Sequence, residues 1–490
     1  MAHPGYLAID LGAESGRAVL GVIEGDRLRV EEIHRFPNRP VRVFDHLYWD
    51  AFGLFREIKA AIGKAAGENA IRSVGIDSWG VDFGLVTKSG TLVANPRHYR
   101  DPRTDGVMEK AFGIVPRREI FERTGIQFMG FNTLYQLLAV KEQEPGLLEA
   151  ADRLLMIGEL FTYLLTGRAV GEFTNATTTQ VYDPRKGAWS DELLAAFGLP
   201  RAIMPEVVPP GTDLGPLLPA IADETGAKGV RVVVPAVHDT DSAVAAVPAE
   251  GENWAFISSG TWSLVGMETR APIIDEESLK YNFTNEGGVA GTYRFLKNVM
   301  GLWLLQECRR SWAERGSALE YGEIAGMAAQ APAFTAFVDP DDAAFFRPDD
   351  APAEIAAFCR RTGQEPPASV ADTARCVFES LALKYRYVIE RLERASGRKI
   401  DVIHVVGGGS RNELLNQMTA DATGKPVIAG PAESTSLGNL MMQAVGMGEL
   451  AGVAQGRALV RRSVSLKEHR PKDTAAWDEA YGRFVALIEG

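Results

Sequence analysis

The sequence predicts an α/β protein of two related lobes, each a mixed sheet with helices packed on it. Three observations carry this expectation. Short apolar runs alternate with stretches of helical periodicity, the pattern of a layered α/β structure. A strand, Gly/Ser turn, strand plan opens the chain and returns near residue 254. At 490 residues, 46% of them hydrophobic, the chain can build two or three domains with ordinary cores and no disulfide or metal staples.

Taken in order, residues 6–10 and 18–23 read as strands joined by the turn Leu11-Gly12-Ala13-Glu14-Ser15-Gly16-Arg17. From Asp50, Phe55, Ile58 and Ile62 recur at three- and four-residue steps on an amphipathic helix, and residues 71–76 follow as a buried strand. Residues 83–86 and 91–93 form a hairpin about Lys88-Ser89-Gly90. Helices are expected over 116–123, 134–142 and 160–165, the last closed by Gly167. The polar break Pro248-Ala249-Glu250-Gly251-Glu252 separates a lobe of residues 1–248 from a lobe of 249–490. Beyond it, residues 254–257, Ser258-Ser259-Gly260-Thr261 and residues 262–267 repeat the opening hairpin. Residues 331–352, rich in Pro, Asp and Ala, predict a long surface excursion. The strongest helix comes next, with Ser369 at its N-cap, one apolar face from Val370 through Val377 and Tyr385 to Leu392, and Gly397 as its stop. Residues 402–406, Gly407-Gly408-Gly409-Ser410 and a helix over 412–422 form a strand, turn, helix unit.

Charge and cysteine usage narrow the function. The 64 acidic against 52 basic residues leave a formal charge of −12, so nucleic acid and anionic membrane surfaces are poor partners. Three cysteines without a C-x-x-C pair indicate neither a zinc site nor a secreted disulfide framework, and point to the reducing cytoplasm. Cys359 and Cys376 flank Pro366-Pro367 and could meet, although buried free thiols are the commoner case. The opening residues lack a basic segment and a long apolar run, so no signal peptide is expected, and no apolar run is long enough to span a membrane.

Asp10 ends a buried strand beside a Gly/Ser turn, an arrangement in which backbone N–H groups cradle phosphate and the carboxylate holds hydrated Mg²⁺. Alone, that turn also reads as an ordinary glycine hairpin. The second turn, Ser259-Gly260-Thr261, strengthens the phosphate reading, because two such turns on two lobes would face each other across a cleft. Neither turn fits a P-loop or a Rossmann fingerprint. The apolar run Val233-Val234-Pro235-Ala236-Val237 leads into His238-Asp239-Thr240-Asp241-Ser242, where Asp239 can act as general base toward a substrate hydroxyl. An ordinary aspartate pKa of about 3.9 makes it a weak base, which suits phosphoryl transfer. Asp241 fits a helix cap better. Asp77, Trp79 and Asp82 offer acceptors and a flat apolar face to a sugar, or are equally a core tryptophan with two turn aspartates. No G-x-S-x-G elbow supports a hydrolase triad.

The ordered set Asp10-Leu-Gly-Ala-Glu-Ser-Gly-Arg17, Asp77-Ser-Trp-Gly-Val-Asp82, His238-Asp-Thr-Asp-Ser242, Ser258-Ser-Gly-Thr-Trp262 and Gly407-Gly-Gly-Ser410 resembles the FGGY carbohydrate kinases of the actin-like ATPase superfamily over essentially the whole chain. Asn282-Phe-Thr-Asn-Glu-Gly-Gly288, Tyr293-Arg-Phe-Leu-Lys-Asn-Val-Met-Gly-Leu-Trp303 and Phe173-Thr-Asn-Ala-Thr-Thr-Thr-Gln180 are similar to the branch that phosphorylates a 6-deoxyketose at O1, and less like xylulose, glycerol or gluconate kinases.

The resemblance implies two actin-like (ribonuclease H-like) lobes with an ATP and sugar cleft. It also implies Mg²⁺, a small-molecule ketose as partner, no nucleic acid or membrane, and a monomer or homodimer. Residue by residue it places Ala13, Glu14, Ser15, Gly16 and Arg17 on phosphate, Thr261, Asn298, Gln306 and Gly408 on the nucleotide, and Asp10 on the metal. Gly80, His238, Asp239 and Thr240 match sugar contacts, with Asp239 as base. Glu14 and Asp241 depart from the family pattern, which has small or neutral residues there. Kinases of other ketoses, such as L-fuculose or L-xylulose, are the neighbouring reading. A protein-binding nucleotide switch is the distant one: it would leave Asp239 without a role, and too little chain follows the Gly407 turn for a peptide-binding domain.

Overall fold

The computed structural model describes residues 5–68 and 70–490. The reading of the N-terminus as lacking a leader rests partly on residues 1–4, outside that range. The chain divides into two compact units. The first takes the described residues up to Pro248 together with Glu268–Phe295 and Ser434–Val464; the second takes Ala249–Met267, Leu296–Glu433 and Ser465–Gly490. The chain first passes between units after Pro248. Two later segments nevertheless return to the first unit: Ser434–Val464 brings apolar helix faces and polar groups that complete its sheet, and Glu268–Phe295 joins it through contacts such as Asn285 N to Gly125 O at 2.9 Å.

That sheet contains β1 (Gly5–Leu11), β2 (Ser15–Glu24), β3 (Arg27–Pro37), β4 (Ile71–Ser78), β5 (Thr212–Pro216) and β6 (Arg231–Val234), in the order β5-β6-β4-β1-β2-β3. β1 and β2 form the expected hairpin, β1, β4 and β6 run parallel, and β5 is antiparallel to β6. Alternation along β1 sends Leu7, Ile9 and Leu11 toward Ile58 and Ile62 of α1 (Ala51–Glu68) and sends Tyr6 and Ala8 to the opposite face. There they meet Leu437, Leu440 and Met441 of the helix Ser434–Gly446 and Leu459 and Val460 of the helix Val453–Ser463. A sheet covered on both faces has near-continuous apolar strands, as β1 does. β3 escapes the sequence reading because charged residues such as Glu31 and Glu32 dilute its alternation at the sheet edge.

A seven-stranded sheet contains, in order, the strand Thr284–Gly287, β9 (Tyr293–Met300), β8 (Trp262–Thr269), β7 (Trp254–Ser259), β10 (Val402–Val406), β11 (Val427–Ala429) and β12 (Lys467–His469). β7, residues 262–267 of β8, residues 296–300 of β9 and β10 to β12 belong to the second unit, whereas Arg294 and the strand Thr284–Gly287 belong to the first. Its hairpin β7/β8 is antiparallel, β7, β10 and β11 are parallel, and β12 is antiparallel to β11. From the hairpin outward, both order and direction repeat the first sheet. The strong helix expected after Ser369 is α3 (Val370–Ser396), preceded in chain order by the short α2 (Asp239–Ala245); Ser369 Oγ accepts from Asp372 N at 3.1 Å, and Gly397 stops α3 at φ +67°.

Two expectations are refined. Residues 83–86 take Arg153–Met156 as their ladder partner, because Leu154, Leu155 and Met156 supply a longer apolar strand, while the 91–93 segment folds back on them through the Leu92–Val86 bridge and the bonds Thr87 N to Thr91 O at 2.9 Å and Val93 N to Leu85 O at 2.8 Å. The 331–352 stretch is irregular but not merely superficial: Phe337, Val338 and Phe345 are buried, and Lys384 of α3 reaches Asp339 at 2.7 Å and Asp341 at 3.0 Å. All three cysteines are free and buried.

Candidate active site

In the first unit, β6 ends at Val234 and the chain reaches His238, which stands at the N-cap of α2 without a side-chain cap bond. Three backbone bonds hold this approach. Ser78 N donates to Val237 O at 2.8 Å, Val237 N donates to Glu172 Oε2 at 3.0 Å, and His238 N donates to Thr174 Oγ1 at 3.1 Å. Glu172 also accepts from Thr174 N at 2.9 Å, and Glu159 accepts from Glu172 N at 3.1 Å and from Asn175 Nδ2 at 3.0 Å. Burial pushes Glu172 up to about 8 and Glu159 up to about 7. Neither glutamate stands out in the sequence.

Asp239, first residue of α2, keeps 29% of its side chain exposed. Burial raises its pKa, reinforced by the Asp10 carboxylate, so it is a stronger base than an ordinary aspartate. Asp10 receives Arg17 at 2.8 and 2.6 Å and Ser436 Oγ at 3.1 Å, all on Oδ2. The cation expected to face phosphate is therefore bound back onto the strand end, because the β1/β2 pairing sets Asp10 opposite Arg17. Asp77 is wholly buried. Asn439 Nδ2 donates to its Oδ2 at 2.5 Å, and Oδ1 has no protein partner. Burial, with Asp10 adding to it, holds Asp77 well above the usual carboxylate range.

His238 anchors a second group. Its Nδ1 lies 3.1 Å from Arg294 Nη2 and 3.3 Å from Glu286 Oε2. Arg294, fully buried on β9, lies 3.0 Å from Asp241 Oδ1 and donates to Gly287 O at 3.0 Å. Asp241 thus balances a buried arginine rather than capping a helix. Burial pushes it up to about 7 against the pull of Arg294. A Cβ on Gly80 would sit 3.3 Å from both His238 Nε2 and Thr178 Oγ1, so glycine leaves room for the imidazole. Thr240 Oγ1 donates to Asp239 Oδ1 at 3.2 Å. Gly80, His238, Asp239 and Thr240 therefore gather in one place.

Asp82 belongs elsewhere. Its Oδ2 accepts from Trp49 Nε1 (2.7 Å), Trp79 Nε1 (3.0 Å) and Tyr99 N (3.1 Å), and its Oδ1 from Gln136 Nε2 (2.8 Å). Burial raises it to about 6 despite these donors. It organises the Trp49–Trp79 ring pair, 4.2 Å between centroids, and is not free for a sugar. The Asn282 segment is also partly architectural: Asn282, at φ +55°, exchanges hydrogen bonds with the backbone of Phe128 at 2.8 and 3.2 Å.

The first turn closes with Gly12 N donating to Ser15 O at 3.0 Å, and Glu14 is exposed, which keeps its carboxylate at solvent. In the second unit, Gly260 O and Thr261 O accept from Leu302 N and Trp303 N, both at 3.1 Å, joining the Ser259-Gly260-Thr261 turn to the start of the helix Trp303–Glu314. Gln306 on that helix has a buried Oε1 without a protein partner, and Asn298 is half-buried on β9. Gly407, at φ +80°, and Gly409 press on Ser259: a Cβ on Gly409 would lie 2.0 Å from Ser259 Oγ. Gly408 faces open space.

Two β-hairpin-headed sheets of one topology, with a base-like aspartate at a helix start and glycine-rich turns, define a two-unit carbohydrate kinase. The N-terminal domain model of the FGGY family of carbohydrate kinases matches residues 5–246 and the C-terminal domain model residues 255–447, and the chain belongs to this family. Among curated relatives it is similar to proteins named rhamnulokinase. That of Bacteroides thetaiotaomicron is 46% identical, with 99% of both chains covered, and that of Oceanobacillus iheyensis 42%, with 94% of this chain and 97% of the relative. The fold matches a gluconate kinase from Lactobacillus acidophilus at TM-score 0.83 and 15% identity, covering 100% of this chain and 98% of that one.

Proposed function

We propose that this protein phosphorylates L-rhamnulose at O1 with ATP, giving L-rhamnulose 1-phosphate. The observation that carries the chemistry is Asp239, a carboxylate raised by burial at the start of α2 and held there through Val237 and His238. The sugar follows from the rhamnulokinase relatives at up to 46% identity over nearly the full chain. Asp239 takes the proton of the attacking hydroxyl as the phosphoryl group transfers, and His238, Thr240 and the space at Gly80 bind and orient the sugar. In the first unit, residues 13–17 offer the phosphate turn. In the second, Thr261, Asn298, Gln306 and Gly408 hold the nucleotide, with the unpartnered Gln306 Oε1 as an acceptor for a ligand donor.

The donor set fits Mg²⁺, which keeps several waters and takes one or two carboxylates. Asp10 is the residue that would hold it, and the unpartnered Oδ1 of Asp77 is an acceptor for its water shell. When bound, the ion would neutralise charge on the phosphate oxygens. The free cysteines suit a cytoplasmic enzyme, acting as monomer or homodimer. A coupled ATP-consumption assay over L-rhamnulose, L-fuculose, L-xylulose and D-xylulose tests the reading. Highest kcat/KM with L-rhamnulose supports it, and preference for another ketose overturns the sugar assignment.

A further inference from the structure

His238 is flanked on its Nδ1 side by a buried ionic group whose members come from three separate segments. Arg294 of β9 supplies the guanidinium, Asp241 of α2 and Glu286 of the strand Thr284–Gly287 supply carboxylates, and all are at least nine-tenths buried. Placing an arginine at 0% exposure is costly unless its charge is met and its protons are used. Asp241 and Glu286 meet the charge at 3.0 and 3.2 Å. One proton, on Nη2, is spent on His238 Nδ1 at 3.1 Å.

That last contact is shorter than the 3.3 Å from Nδ1 to Glu286 Oε2, an acceptor for the opposite tautomer, and it selects a chemical state. A guanidinium has donors only, so in any Arg294–His238 hydrogen bond the imidazole Nδ1 must be the acceptor and must carry no proton. The ring then has its proton on Nε2. Nε2 points to the functional side: it lies 3.7 Å from Asp239 Oδ1 and next to the missing side chain of Gly80. We propose that Arg294 is a positioning residue that locks His238 as the Nε2–H imidazole, so that the site presents an obligate proton donor to an acceptor oxygen of the ketose beside the hydroxyl that Asp239 deprotonates. The kinetic part rests on the reading of this site as a ketose-kinase centre; the tautomer does not.

The rest of the cluster serves the same end. Arg294 Nε also donates to Gly287 O at 3.0 Å, which pins the guanidinium so that Nη2 cannot swing away from the ring. His238 N is tied to Thr174 Oγ1, so the ring is fixed from its backbone as well. An oxygen with lone pairs is accepted at Nε2, whereas a ligand proton directed there meets another proton.

The test uses the intact protein labelled with ¹⁵N in histidine, with His238→Gln identifying the ring signals. The expected result at neutral pH is an unprotonated Nδ1 and a protonated Nε2 for His238 without any ligand. An Nδ1–H tautomer or an imidazolium would overturn the proposal. Arg294→Lys keeps the buried charge but cannot hold Nδ1, Asp241 and Gly287 O at once. It should give a mixed tautomer signal and raise KM for the ketose by about tenfold, the worth of one hydrogen bond, with KM for ATP unchanged. Wild-type tautomer and ketose KM in that variant would overturn the proposal, as would equal loss toward both substrates. If Arg294→Lys does not fold, the wild-type nitrogen signals still decide. If the wild type phosphorylates no ketose, the kinase reading falls while the tautomer result stands.

Discussion

Asn439 donates from Nδ2 to Oδ2 of Asp77 at 2.5 Å, across 362 positions of chain. It stands on Ser434–Gly446, a helix whose neighbouring Gln443 donates to Leu7 O at 2.9 Å and accepts from Ser73 Oγ at 2.7 Å. The late helix thus supplies the polar partners of the strand ends that carry Asp10 and Asp77, as well as the apolar cover of β1.

Asp239→Asn should lower kcat by 10²–10⁴-fold, the usual contribution of a general base. The amide keeps the shape of the side chain but cannot take the proton, so Tm and ATP affinity stay near wild type. Steady-state kinetics with calorimetry checks this, and a kcat above about a tenth of wild type would remove the base assignment.

Gly438→Ala should destabilise the first unit severely. A Cβ there would lie 1.7 Å from Ser242 O, so the helix Ser434–Gly446 must move away from α2. Overpacking typically costs about 1–3 kcal/mol, and backbone cannot yield as a side-chain tip can. Thermal unfolding measures the loss; an unchanged Tm would contradict the close approach of the two helices.

Gly409→Ala should displace the Ser259 turn, since its Cβ would lie 2.0 Å from Ser259 Oγ. KM for ATP should rise by about 10–10²-fold, the effect of a sub-ångström to ångström misplacement. Gly326→Ala, exposed on the helix Tyr321–Gln330 with open space for a Cβ and outside the nucleotide residues, is the control. Equal Tm values but unequal ATP affinities would tie the turn to the nucleotide.

Stability should fall as pH rises from 5 to 8. Glu172 and Glu159 are raised from 4.5 to about 8 and about 7, so the folded protein holds protons that the unfolded chain releases above 4.5. The slope of unfolding free energy with pH is negative wherever the native state binds more protons. The stabilisation is fully present below the unfolded value and is lost as pH passes through the folded one. Glu172→Gln, neutral at every pH, should flatten this slope, so its Tm relative to wild type improves between pH 5 and 8. A parallel pair of Tm profiles would show that Glu172 is ionised in the fold.

The 6-deoxyketose L-rhamnulose should be used with kcat/KM about one to two orders of magnitude above that of its 6-hydroxy counterpart L-fructose, mostly through KM. An apolar surface rejects an added hydroxyl only by roughly 10²-fold. Equal values would show that the methyl group is not read.

What could be read in the sequence was local. The two hairpins, Asp239 after an apolar run and the capped helix at Ser369 each depend on residues close in the chain. Between its two readings Asp82 is settled only by Trp49, 33 positions earlier, and the contact of Arg17 with Asp10 follows from strand pairing that the turn alone does not display. Arg294 and Glu172 reach His238 and Val237 over 56 and 65 positions. Arg294 did leave a trace, since a cation inside the apolar run Tyr293-Arg-Phe-Leu296 must be met by buried anions. Glu172, between Gly171 and Phe173, left none.

The three-segment make-up of the first unit has a consequence for how the protein is made. Its sheet emerges from the ribosome early, but the helices that cover Tyr6 and Ala8 and satisfy Asp77 lie between Ser434 and Val464. Domains usually fold as they are synthesised, N-terminal first, at about 5–20 residues per second. Here the sheet must wait, one face bare, until translation has passed Val464, so the aggregation hazard at that face falls during synthesis.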